Sequence, residues 1–193
     1  MSDAALRRIE SALDKLSSQQ NEIAVRLARL EKSASASAEG PCVATREHVV
    51  AFLDQFRAGE ALGETSLGAW IAVCKDARLR GGLRTVQHRE GSHARLLAER
   101  IKELGAAPHF EIPDDIHTLV MQGSAATDKS DAAKVKEFVE RFPDADAVLA
   151  PIHDLAAQLD DDPETQSLLR TIAQDERATL EFFYQACEQL DAG

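Results

Sequence analysis

From residue 43 onward, apolar residues recur at steps of three and four, and four long stretches carry the rhythm. Val49, Leu53, Phe56, Glu60, Gly63, Leu67, Trp70 and Cys74 predict a first helix from a Thr45 cap to about Asp76. Leu79, Leu83, Val86, Glu90, His93, Leu97 and Leu104 predict a second, from about Arg78 to Leu104, ended by Gly105 with Pro108 beyond. A connection of about 25 residues follows, too long for neighbouring antiparallel helices and suited to a crossover along the molecule. Val135, Phe142, Asp146, Leu149, His153 and Ala156 mark a third helix from near Ser130 to the acidic run before Pro163. Pro143 and Pro151 predict a kink or break within it. Leu169, Ile172, Glu176, Thr179, Phe183 and Leu190 mark a fourth, opening at Pro163, where proline suits the first turn. Two helical hairpins joined by one long crossover predict an all-α four-helix bundle over residues 43–190.

An earlier segment has a stricter period. Leu6, Ile9, Leu13, Leu16, Gln20, Ile23, Leu27 and Leu30 form an unbroken heptad seam, so residues 3–32 predict a coiled-coil helix that joins copies of the chain into a homo-oligomer. Gln20 is the one polar seam residue, the kind that sets register. Residues 33–41, SASASAEGP, read as a flexible linker.

Each of the four long stripes contains an acid near its middle: Glu60, Glu90, Asp146 and Glu176. Moving the chain by 86 residues superposes the two halves without a gap. Leu83-Arg84-Thr85 then falls on Leu169-Arg170-Thr171, Phe56 on Phe142, Glu60 on Asp146 and Glu90 on Glu176. Two related hairpins, each supplying one acid per helix, are the expectation. Carboxylates drawn together out of water repel one another and cost several kcal/mol each unless a cation or hydrogen-bond donors compensate them. Glu90 and His93, three residues apart on one helical face, can reach a single ion, and oxygen ligands with imidazole suit iron or manganese.

Charge and cysteine content narrow the partners. A net charge of −11 disfavours nucleic acid and anionic membrane. No apolar run is long enough for a membrane span, and the N-terminus lacks the pattern of a signal peptide. Three cysteines without a CxxC pair fit a reducing, cytoplasmic setting.

A Glu on the first helix, Glu-x-x-His on the second, an acid on the third and Glu-x-x-Thr on the fourth resemble the ferritin-like di-iron carboxylate superfamily. The AGE at 58–60, thirty residues before EGSH, is most similar to its rubrerythrin and demethoxyubiquinone-hydroxylase branches. The resemblance covers roughly residues 45–190. It implies a ferritin-like bundle holding one or two ions of iron or manganese, with Glu60, Glu90, His93 and Glu176 at the family's ligand positions. Asp146 stands where a Glu is usual, and Thr179 where a second His is expected. His153, two turns after Asp146, is a candidate for the missing nitrogen or a boundary histidine. Glu64, one turn after Glu60, is a candidate further ligand or a solvated acid. The implied activity is oxygen- or peroxide-dependent oxidoreductase or ferroxidase chemistry on a small molecule or on iron, with no catalytic residue assigned. The departures at 146 and 179 support the alternative of a non-catalytic oligomeric scaffold with a decayed site. No rubredoxin-like module is present, and the polar crossover disfavours a lipid-soluble substrate.

Overall fold

A computed structural model describes residues 44–191, and every element in it is helical. The coiled-coil helix expected over 3–32 and the linker over 33–41 lie outside the described residues. The helices are α1 (Arg46–Val73), α2 (Ala77–Glu103), α3 (Asp114–Ala125), α4 (Asp131–Arg141), α5 (Ala145–Ala156) and α6 (Pro163–Asp191). None is long and apolar enough to cross a membrane.

Their ends follow from local chemistry. Thr45 caps α1 by accepting from the His48 N–H, and Asp76 caps α2 by accepting from the Leu79 N–H at 2.7 Å. Gly105 closes α2 in the left-handed region, at φ 73°. Its N–H bonds to the Lys102 carbonyl while that of Ala106 reaches Ile101, the paired arrangement that satisfies a helix's last carbonyls. Asp162 accepts from the Thr165 N–H at the start of α6, next to Pro163.

Two features matter for the site: the break that the sequence anticipated in the third long helix, and a helix in the crossover that it did not. The third long helix is broken: α4 ends at Arg141, Pro143 lies in the gap, and Asp144 caps α5 by accepting from the N–H groups of Asp146 and Ala147. Pro143 has no N–H to continue the helix and displaces its predecessor from helical geometry, so a new helix starts beyond it. Pro151, on the exposed side of α5, does not stop that helix. The crossover carries an extra helix, α3, that packs against α1 through a short apolar face, with Ile116, Leu119 and Val120 half-buried and no residue fully buried. The chain just before α3 is tied to α1 by Asp54, a fully buried carboxylate. It accepts from the N–H groups of His109 and Phe110, both at 2.8 Å, and from Arg57.

The interior divides into two apolar clusters. One joins Val49 and Leu53 of α1, Leu97 and Ile101 of α2, Leu149 to Ala156 of α5, and Leu169 to Leu180 of α6. The other joins Leu67, Trp70 and Cys74 with Leu79, Leu83 and Val86, and adds Val135 of α4 and Phe183 of α6. Phe183 stacks between Trp70 and Phe138. The order of these residues along each helix gives the directions. α1 and α6 run from the first cluster to the second, whereas α2 and the α4–α5 pair run back. The crossover therefore returns the chain along the length of the molecule, as its length predicted.

Candidate metal centre

Between the two clusters, three helices contribute acids and an imidazole to one buried layer. Glu60 projects from α1 between Leu53 and Leu67, Glu90 and His93 from α2 between Val86 and Leu97, and Glu176 from α6 between Ala173 and Phe183. Apolar packing on both sides withdraws Glu60 and His93 from water, so the layer's polar groups must compensate one another.

His93 is its hub, at 3% exposure. Nδ1 lies 3.0 Å from Glu60 Oε2 and 3.2 Å from Glu176 Oε1, while Nε2 lies 3.2 Å from Asp175 Oδ2. One oxygen or nitrogen from each of Glu60, His93 and Glu176 falls within 4.8 Å of the other two. Donors bound at about 2.1 Å to a common ion lie at most about 4.2 Å apart, so only small side-chain adjustments separate this group from a ligand set.

Burial pushes the Glu60 carboxyl up to about 7, helped by the charge on Glu176 and opposed by hydrogen bonding with His93. Burial also holds Glu90 well above its ordinary value, with the carboxylates of Glu60 and Glu176 adding to the effect. At His93 burial disfavours the charged ring, but contacts with Glu176, Glu60 and Asp175 prevail and raise it to about 10. A protonated imidazole thus stands among an excess of acids, and the compensation is incomplete. Glu176 Oε1 has no aligned hydrogen bond, and the hydroxyl of Thr179 one turn later is buried without a partner. Buried polar atoms left unpaired are rare, and a bound water or ion is one way to complete them.

This donor set fits a divalent ion. Two carboxylates and one imidazole suit iron, manganese or zinc, and a cation would satisfy Glu176 Oε1 while relieving the repulsion around Glu90. In that arrangement Nδ1 is the ligand atom, and Nε2–H donates to Asp175, which keeps the ring's orientation and tautomer.

Glu60, His93 and Glu176 are therefore brought together, with Glu90 beside Glu60. Asp146 is not. It lies in the first turn of α5, where the break at Pro143 places it at a helix end, and its side chain, 82% exposed, pairs with Arg177. His153 is exposed on α5 and contributes nothing to the layer. Glu64 is half-buried over the backbone of Gly91, 3.8 Å from the exposed Arg95, and is not part of the ligand group. Asp175 was missed because it sits off the apolar stripe. Adjacent helical residues diverge by about 100°, and only the position of His93 on α2 makes Asp175 relevant.

Compared with known proteins, the chain matches no family model and no curated sequence, so the reading of this site rests on its chemistry.

Proposed function

We propose that residues 43–190 form a ferritin-like four-helix bundle, with α4 and α5 as its broken third member. It binds iron or a related divalent metal through Glu60, His93 and Glu176, with Glu90 beside them, for oxygen- or peroxide-dependent oxidoreductase or ferroxidase chemistry. The observation that carries the metal reading is the convergence of three donors from three helices within 4.8 Å, one of them a buried carboxylate oxygen with no hydrogen bond. The helix directions and the long crossover support the bundle assignment.

When bound, the ion would supply Lewis acidity and, for iron, electrons. The chain's own residues do the rest. Glu60 and Glu176 neutralise the ion's charge, and Glu90 adds a further carboxylate within the layer. Asp175 holds the proton on His93 Nε2, so that Nδ1 is free to ligate. The apolar clusters on either side withdraw Glu60 and His93 from water, which strengthens the electrostatic interactions between them.

Asp146 and Thr179 favour a second reading, a non-catalytic scaffold assembled through residues 3–32, because each leaves a family ligand position unfilled. Metal content decides between the two. Protein purified from iron-supplied cells should retain iron and show a near-ultraviolet ligand-to-metal band. Less than about a tenth of an ion per chain, after anaerobic loading with iron or manganese, would leave the scaffold. Oxygen uptake with ferrous iron alone then separates iron oxidation from oxidation of another substrate.

A further inference from the structure

The residues that would hold a second ion are not at the layer. Asp146 is drawn out to Arg177, His153 is exposed, and Thr179 places a buried, unpartnered hydroxyl where an imidazole would be needed. A groove of about 280 Å³ lies between α1 and α5. Phe52, Phe56, Val148, Leu149 and Ile152 line it, Gln55 stands at its side, and Glu176 is its only ionisable residue. Glu176 thus belongs to two sites at once: its Oε1 lies 3.2 Å from His93, and its side chain lines the groove.

Resting on the metal reading above, we propose that this is a single-ion centre whose free side opens, through Glu176, onto a binding groove for a small neutral molecule with an apolar body and one hydrogen-bond donor. The lining determines the ligand's chemistry. No lysine, arginine or histidine is among its lining residues, and the one ionisable side chain there is an acid, so an anion finds no counter-charge. The aromatic and aliphatic walls offer little to a hydrated cation. Phe52 and Phe56 meet edge to face, with centroids 6.1 Å apart, and give an aromatic ring a wall to pack on. A dry cavity of roughly 150 Å³ holds benzene, so this groove admits one ring with a short substituent and little more. A hydroxyl on that substituent would donate to the Glu176 carboxylate, the one acid among the lining residues.

Cobalt(II) and two aromatic probes test both halves on the full-length protein. Metal-free protein is loaded with cobalt, desalted and analysed for bound metal. It is then titrated calorimetrically with benzyl alcohol and, separately, with benzoate. The expected result is one cobalt per chain, binding of benzyl alcohol, and binding of benzoate weaker by at least about tenfold, because the groove's apolar walls would strip water from its carboxylate and offer no counter-charge. Val148 lies at the rim, 36% exposed, so Val148→Trp can obstruct the groove with little disturbance to the core. This variant should keep one cobalt per chain and lose benzyl alcohol binding by at least about tenfold. Two cobalt ions per chain would overturn the single-ion assignment. Absence of benzyl alcohol binding, equal affinity for benzoate, or undiminished binding to Val148→Trp would overturn the groove. A protein that takes up no cobalt fails at the earlier step, the metal reading itself.

Discussion

Gly63 on α1 lies directly against the carboxylate of Glu90 on α2, so close that any β-carbon at position 63 would collide with Glu90 Oε2. At the next position on each helix the relationship is repeated in reverse, with the Glu64 carboxylate lying over Gly91. The two helices use paired glycines to seat two acids in their interface, and only one of these acids, Glu90, belongs to the buried layer. Gly63→Ala should therefore displace Glu90 and weaken metal binding by about tenfold, the low end of what disturbing a supporting residue costs. Gly59, exposed on the same helix with nothing within 4 Å of its missing β-carbon, is the control. Gly59→Ala should stabilise the protein by about 0.5–1 kcal/mol and leave metal binding unchanged. Equal metal affinity in both variants would mean that the seat of Glu90 is unimportant.

Replacing Glu90 and His93 together by alanine should abolish metal loading, measured by elemental analysis after desalting. Asp146→Ala should load as the parent does, because its carboxylate is exposed and paired with Arg177 at the surface. Loss of metal from Asp146→Ala would show that α5 moves to supply a ligand.

Proton and metal compete for the same atoms. Glu60 and His93 are raised to about 7 and about 10, both above their ordinary values of 4.5 and 6.5. For a raised group, the stability due to its proton is complete below the ordinary value and is lost as pH rises through the folded one. The melting temperature of the metal-free protein should accordingly fall between pH 6 and pH 10, while metal affinity rises over the same interval as His93 gives up its proton. Thermal scans at stepped pH, with and without metal, measure both. His93→Gln should flatten the upper part of the metal-free decline. A metal-free protein whose stability is level from pH 6 to 10 would contradict the assignment of a charged His93.

Asp54 fastens the crossover to α1, and Asp54→Ala would leave two N–H groups and Arg57 without their acceptor. The expected loss is about 2–4 kcal/mol in denaturant unfolding. Burial alone would raise the Asp54 carboxyl, but the N–H groups of His109 and Phe110 and the Arg57 guanidinium outweigh it and hold it below its usual value. Its contribution is present above the ordinary carboxylate range and disappears as the pH falls through the lowered value.

The heptad seam over residues 3–32 predicts association, and equilibrium sedimentation of the full chain against a 41–193 truncation checks it. The full chain should have the mass of an oligomer and the truncation that of a smaller species. Equal masses would remove the coiled coil as the source of assembly.

Much of this architecture was legible beforehand because it depends on local rules. The stripes around Leu53, Leu83 and Leu169 announced buried helical faces, and Thr45, Gly105 and Pro163 marked helix ends within a residue or two. The acids at 60, 90 and 176 stood out as polar interruptions of those stripes, and they do meet. Helix α3 was not anticipated, since its apolar face, Ile116, Leu119 and Val120, spans little more than one turn and no residue of it is fully buried.

What the sequence by itself determined was periodicity, and with it which residues of each helix face inward. Which of the inward acids converge is a matter of where each helix begins and ends in space, and only the tertiary structure decided that. Glu60 and Asp146 hold matching places in the two halves, yet Pro143 restarts the chain beside one of them and turns it to solvent and Arg177. Asp175 belongs to no stripe and still reaches His93, because a carboxylate near the edge of one helix needs only a neighbouring helix at the right distance. A one-dimensional period specifies direction around a helix axis; distance between axes comes from packing.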